Sequence, residues 1–457
     1  MMSSRLRPLA PSVVRESLRS SQREAVPWAI MQGLTESFMI PYALALGGTA
    51  FQAGLLSSVR NFILSLVQLK SAEAAHWVRS RKMLVLWTSW MQAALWVPIA
   101  FVSLLFGPWA VLALIGLYTV GTASAAFGSP AWGSLVTESL APDERGRFFA
   151  HRSRVVGGWV TVAGLASGGL LQLYAAQPLI GFGLLCAAAA VSRAISCHWL
   201  ARLAEGPWQE PVEAKFSFWE FIRQLPRSNF AKFSVCIGLL SFAANLSAPY
   251  LAVYMLEELG YGYFTYSVIV LTGSVMAFLT VTRWGRVADR FGNWVVLRWT
   301  MLGVSLLPVL WTWSSHPLWL FVLHLLGGFL WGGLNLCMVN FVYDAATPAK
   351  RARCLAYFNV INGCSVSLGA LTGGWLVAWL PPLNGSVFIS LFCCSAVLRL
   401  GMALLFPRVV QEVRQVRQVG LREVAYDLVG QRVIHVLGFL SVKPELEGNH
   451  AVTSGPN

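Results

Sequence analysis

Few residues in this chain are equipped for chemistry, and two of them stand in apolar surroundings. Glu36 and Arg60 fall in the middle of two successive apolar runs. At 1.5 Å per helical residue, each lies on the order of 13 Å from the nearer end of its run. An ionisable group at that depth costs roughly 2.5–3.5 kcal/mol on insertion scales, so it needs a partner or a task. The runs point in opposite directions, so the two depths overlap and a Glu36–Arg60 ion pair is the economical expectation. That pair has two uses: Glu36 is a protonatable coupling group, or the pair is static and fixes one run against the other. The sequence spells no nucleotide-binding loop, metal cluster or nucleophile triad, so the expectation is a protein without covalent chemistry or cofactor, and not an enzyme.

The elements that hold these residues follow from composition. Of 457 residues, 56% are hydrophobic and 12% charged, about half the roughly 25% charged content of a soluble domain. The mean hydropathy is +0.60. Apolar runs of about 20 residues recur, the length that crosses a ~30 Å hydrocarbon layer as helix. Soluble enzymes, disulfide scaffolds and disordered chains are excluded, leaving an all-α polytopic membrane protein. Twelve spans are predicted, over 27–47, 52–70, 83–105, 109–137, 150–173, 178–200, 229–256, 262–284, 295–313, 318–343, 354–380 and 386–406.

The net charge of +14 reports orientation rather than nucleic-acid binding. Of the 34 Lys and Arg, 31 fall in the termini, or in connectors and the span ends that border them, on one side of the alternating topology. The other three, Arg60, Arg193 and Arg399, lie within spans; Arg193 and Arg399 sit nearer the ends of theirs and are expected to snorkel outward. By the positive-inside rule both termini and the central connector are cytoplasmic. The first 26 residues are polar and Arg-rich, and the run after them is too long for a signal-peptide core, so the first helix is expected to stay in the mature protein. Eight cysteines in or at the ends of spans, with no CxxC spacing, read as packing residues. Most tryptophans, Trp109 and Trp284 among them, read as an interfacial belt.

The chain also repeats itself. TESLAPDERGRFFA (137–150) and YDAATPAKRARCLA (343–356) superpose at an offset of 206, which places Glu138 on Asp344, Arg145 on Arg351, and AVSR (190–193) on AVLR (396–399). Pro41-Tyr42 meets Pro249-Tyr250 at 208. A register held over several helices predicts two parallel six-helix halves, an arrangement typical of secondary transporters. The expected organisation is a tail (1–26), a first half (27–200), a central loop (201–228), a second half (229–406) and a C-terminal tail (407–457). FSFWEFIRQL in the central loop and VVQEVRQVRQVGLREVAYDLVG in the tail read as amphipathic, interfacial or partner-binding helices.

At 285–292 the chain reads GRVADRFG, between the eighth and ninth spans. With the twelve-span plan and the repeat, this resembles the major facilitator superfamily, whose signature loop is GxLaDrxGrr. The first-half copy is eroded to AEAAHWVRSRKM (72–83), which keeps Arg81 and Lys82 but not the acidic residue. The resemblance implies a cytoplasmic gate formed by Gly285, Asp289, Arg290, Gly292, Glu138, Arg145, Asp344 and Arg351, a latch of ion pairs that closes when the carrier faces outward. A simpler reading has the arginines anchoring helix ends to anionic headgroups, at ~1 kcal/mol each. The resemblance also implies a central cavity. Gln32, Glu36, Arg60, Asn245, His324, Trp331, Asn335, Asn359 and Asn362 lie on the helices that would line it. Asn245 and Asn335 lead, because an amide in lipid must find a partner or face water.

Signatures of the family's drug exporters are missing: LYTVGTASAAFG (117–128) has no Arg, and the Gly-rich elements at 164–169 and 369–374 lack the proline. Those glycines read as close-packing seams. The expected function is a secondary carrier moving a small solute by alternating access, with proton coupling through Glu36 as one form of it. The expected partners are that solute and the lipid bilayer, with no nucleic acid. The expected state is a monomer, multi-pass in a bacterial cytoplasmic membrane. The alternative from a different class is a non-transporting scaffold that acts through its tails.

Overall fold

The structure is a computed structural model that describes residues 10–78, 80–141, 144–206, 228–345 and 351–413, the side chains of Pro11, 68–77 and 351–353 excepted. Among the described residues the regular structure is helical apart from one isolated bridge, Leu383 with Ser386. An apolar run in lipid must satisfy its own backbone groups, and a helix does so within the segment. The first six helices are α1 (Pro11–Thr35, resuming as Met39–Ala45), α2 (Ala50–Val78), α3 (Arg81–Ala100), α4 (Ala110–Glu138), α5 (Arg145–Leu173) and α6 (Pro178–Leu200). The second six are α7 (Asn229–Asn245, resuming as Tyr250–Val253 and a π turn, Tyr254–Glu258), α8 (Tyr263–Phe291), α9 (Asn293–Leu310), α10 (Pro317–Ala345), α11 (Arg351–Val377) and α12 (Val387–Val409).

Eleven of the described helices are long and apolar enough to cross a membrane. The first differs because the turn at 36–38 splits it and its longer segment holds Arg15, Glu16, Arg19, Arg23 and Glu24. Helices α1 to α6 pack among themselves, with α1 on α5 and α6, and α3 on α4 and α6. Helices α7 to α12 repeat the pattern, and two seams, α2 on α11 and α5 on α8, join the bundles. The glycine-rich elements form such seams. A Cβ on Gly168 of α5 would strike Ser267 of α8, and one on Gly374 of α11 would press on Phe51 of α2.

The sequence repeat has counterparts in contacts. Glu205 accepts hydrogen bonds from Ser80 Oγ and Arg81 N, both at 2.6 Å, at the start of α3. Glu412, 207 residues on, accepts from Trp294 N at 2.8 Å at the start of α9. A carboxylate at a helix N-terminus meets free N–H groups and the positive end of the dipole, so each bundle's last segment is pinned back to its third helix. Breaks in α1 and α7 also correspond. Pro41 has no N–H to give the Ser37 carbonyl, and that carbonyl accepts from Tyr266 Oη of α8 instead, at 2.9 Å.

Several expectations change. The segment expected as an N-terminal tail is helical from Pro11 and continuous with the first span, and its Ser17, Ser20, Ser21 and Glu24 are buried. The signature segment GRVADRFG is not a loop: 285–291 are the last turns of α8, where Val287, Ala288 and Phe291 are buried. Only Gly292, at φ +90°, breaks the chain. The arginines expected between the fourth and fifth spans lie on α5, which starts at Arg145. Trp109 is 69% exposed, as a belt residue would be, but Trp284 is 2% exposed and donates to the Phe329 carbonyl at 2.7 Å. The eight cysteines form no disulfide with one another, and five of them are buried. The two amphipathic segments expected in the central loop and beyond residue 413 lie outside the described residues.

Candidate substrate site between the helix bundles

Glu36 and Arg60 meet. Arg60 Nη2 donates to Glu36 Oε1 at 2.9 Å, and the side chains are 21% and 46% exposed respectively. The guanidinium also lies 5.4 Å from the centre of the Tyr118 ring. Glu36 caps the end of the first segment of α1, and Arg60 projects from α2. The pair faces a cavity of about 250 Å³ lined from both bundles, by Glu36, Arg60 and Tyr118 on one side and by Ala248, Tyr266 and His324 on the other.

Two further cavities flank it. One of about 370 Å³ within the first bundle is lined by Gln32, Arg60, Gln92, Trp132, Arg152 and Arg193, among others. Gln92 Oε1 and Trp132 Nε1 are buried there without a hydrogen-bond partner among the described residues. The other, of about 520 Å³, lies in the second bundle and includes Asn245, His324, Trp331, Asn335 and Arg399 in its wall. It shares Ala248, Leu251, Val270 and His324 with the cavity between the bundles, so the two adjoin. Asn245 and Asn335 thus stand where a solute could touch them, although Asn245 Nδ2 also donates to the Ser241 carbonyl at 2.9 Å. Asn362 is engaged as an acceptor from Ser241 Oγ at 2.6 Å, a helix-to-helix bond between α11 and α7. Asn359 is half-buried and lines none of these three cavities.

The sequence reading missed the most buried charges. Glu24, 3% exposed, accepts from Arg152 Nη2 at 2.6 Å and from Ser196 Oγ at 3.0 Å, and Arg193 Nη1 lies 3.8 Å away. Arg193 also donates to Ser89 Oγ at 2.8 Å, and Arg152 stacks 4.4 Å over the Trp132 ring. The expectation that Arg193 snorkels is therefore wrong. It faces α1 and α3, where a carboxylate and serines satisfy it, rather than lipid. Arg399 does not snorkel either: it is 6% exposed and donates to the Val304 and Ala244 carbonyls and to Ser247 Oγ. Pro308 explains the first acceptor, since it cannot bond the carbonyl four residues earlier. A signal for Glu24 existed in the sequence. Ser17, Ser20, Ser21 and Glu24 fall at helical spacing and continue the face of the first span.

At the basic end, Arg81 pairs with Glu138, and Asn293 Nδ2 donates to Asp344 Oδ2 at 2.7 Å. These bonds stay within each bundle, between its third and fourth helices. Arg81 is one of the two basic residues kept from the eroded signature. Arg145 begins α5 and Arg351 begins α11, the side chain of Arg351 lying outside the described set. Asp289 and Arg290 are exposed on the last turn of α8, between Gly285 and Gly292. At the opposite end the bundles touch: Tyr266 bonds Ser37, Phe38 meets Tyr266 edge-on at 6.3 Å, and Phe182 meets Tyr263 at 5.6 Å.

Two helix bundles of membrane-crossing length, enclosing a polar cavity lined from both, define a multi-pass membrane protein of the transporter fold. Residues 233–444 match the Major Facilitator Superfamily. That match spans the second helix bundle. No curated protein matches it in sequence. Among solved structures it is similar to the nucleoside transporter NupG (14% identity, TM-score 0.64, 86% of this chain and 98% of that one). It is also similar to a bacterial homologue of the iron transporter ferroportin in an inward-facing state (15%, 0.66, 86% and 98%). A third likeness is the peptide transporter POT in complex with sulfate (16%, 0.62, 88% and 96%). The fold is that of these solved transporters, and the family match covers the second bundle.

Proposed function

We propose that this chain is a secondary carrier that moves a small solute by alternating access, acting as a monomer in a bacterial cytoplasmic membrane with both termini and the central connector inside. The cavity at the joint between the bundles, with the Glu36–Arg60 pair in its wall, carries this reading. A solute there touches both bundles, so its binding energy can differ between their two arrangements. With the basic end inside, closure at Tyr266, Ser37 and Phe38 makes the described conformation inward-facing. In the outward-facing state a latch at the basic end would draw on Glu138, Asp344, Asp289 and the connector arginines.

Purified protein in proteoliposomes tests the carrier and the task of Glu36 together, once a thermal-shift screen over sugars, amino acids, organic anions and amphiphilic drugs has supplied a solute. If Glu36 couples proton movement, Glu36→Gln abolishes uphill accumulation and keeps solute exchange. If the pair is static, Glu36→Gln lowers folded yield and the further change Arg60→Gln restores it. Normal coupled transport by well-folded Glu36→Gln protein would sink both versions. A folded wild type that binds no solute in the screen would leave the scaffold reading.

A further inference from the structure

Counted over Glu24, Glu36, Arg60, Arg152, Arg193 and Arg399, the membrane interior of this chain holds two more positive charges than negative, one in the network around Glu24 and one at Arg399. Glu36 is matched by Arg60, and Glu24 is shared by Arg152 and Arg193. Arg399 has no carboxylate partner among the described residues. Its hydrogen-bond partners are two backbone carbonyls and a serine hydroxyl, and its Nε is buried without a partner among the described residues. Three of the five N–H donors of a guanidinium are thus used, all on neutral acceptors. A guanidinium keeps its charge when buried, and carbonyl dipoles compensate that charge less well than an anion does. Arg399 lies in the wall of the largest of the three cavities, whose lining contains no acidic residue.

We propose that this second-bundle cavity is the subsite for an organic anion, whose carboxylate pairs with Arg399 and whose apolar, preferably aromatic, body lies against Trp311 and Trp331. The lining supplies the recognition such a ligand needs. Asn245 and Asn335 offer amides for a second polar group, and His324, edge-on to Trp311 at 4.7 Å, stands where this cavity adjoins the one between the bundles. An anion entering from the central cavity passes Arg60 and His324 before it reaches Arg399. Its body occupies an apolar pocket of the size that small-molecule sites have. The first bundle's arginine at the repeat position, Arg193, does not offer the same service, because Glu24 and two serines already occupy it.

This assignment rests on the carrier reading for its meaning as a substrate class, and its test uses binding alone so that the two can fail separately. The probes are benzoate and its neutral analogue benzamide, added to the full chain in detergent, with affinity read from quenching of tryptophan fluorescence and from thermal shift. Benzoate is expected to bind and stabilise, and benzamide to bind at least tenfold more weakly. Arg399→Gln should lose at least tenfold in benzoate affinity, whereas Arg193→Gln keeps it. Should Arg399→Gln fail to fold, Ser274→Leu, which fills the same cavity and leaves Arg399 in place, is expected to lose benzoate to the same degree. Equal affinity for benzoate and benzamide would overturn the assignment, as would no benzoate binding to the wild type or undiminished binding by folded Arg399→Gln or Ser274→Leu protein. Benzoate binding without transport of any solute would refute the carrier and leave the anion site standing; transport of a solute by protein that binds no benzoate would do the reverse.

Discussion

Burial separates the two intramembrane carboxylates into different kinds of residue. Glu36 is half exposed to a cavity and holds one arginine; Glu24 is enclosed and serves Arg152, Arg193 and Ser196 together. Removing one partner of a buried charge network strands the others, at roughly 3–5 kcal/mol, while a pair open to water is worth about 1 kcal/mol or less. Glu24→Gln should therefore lower the melting temperature in detergent far more than Glu36→Gln does. Equal losses for the two variants would show that the enclosed network is not what stabilises the first bundle.

Proline and glycine decide where the helices stop being regular, and those places coincide with the contacts between elements. Pro41 releases the Ser37 carbonyl to Tyr266 on α8, and Pro308 releases the Val304 carbonyl to Arg399 on α12. Gly292 is the whole connection between α8 and α9, at φ +90° and ψ 156°. That backbone region is essentially restricted to glycine, and another residue there costs on the order of 1–3 kcal/mol. Gly292→Ala is expected to lower thermal stability by that amount, whereas Gly285→Ala, with only Leu336 Cδ2 nearby at 3.8 Å from an added Cβ, should be close to neutral. If the two alanines cost the same, the strain at the α8–α9 joint is not the reason for its glycine.

Across the whole molecule, one end has aromatic and backbone contacts between the bundles, and at the basic end Glu138 bonds Arg81 and Asp344 bonds Asn293 within their own bundles. Tyr266→Phe removes a hydrogen bond to a carbonyl that has lost its own helix donor, a contribution of about 1 kcal/mol. That corresponds to about a fivefold change in population, here toward the state open at the Ser37 end. Asp289→Asn acts the other way: it weakens the proposed outward-facing latch and favours the described conformation. Spin-label distances across each end of the two bundles should move in opposite senses for the two variants. Distances unchanged in both would mean that these contacts do not set the balance between conformations.

The membrane class, the helix count, the orientation signal and the two-bundle repeat were legible in the sequence because they depend on local quantities. Apolar length, charge placement and register are properties of consecutive residues. The Glu36–Arg60 pair was legible too, since only two antiparallel neighbouring helices and a depth were needed to place it. The roles of Glu24, Arg193 and Arg399 were not. An arginine near the end of an apolar run looks the same whether it reaches for headgroups or turns inward, and only the neighbouring helices decide. Arg193 turns inward because α1 and α3 present Glu24 and Ser89, and Arg399 because Pro308 leaves the Val304 carbonyl of α9 without its helix donor and the end of α7 presents the Ala244 carbonyl and the Ser247 hydroxyl. Which charge is matched and which is left for a ligand is a property of packing between distant segments, and therefore of the tertiary structure alone.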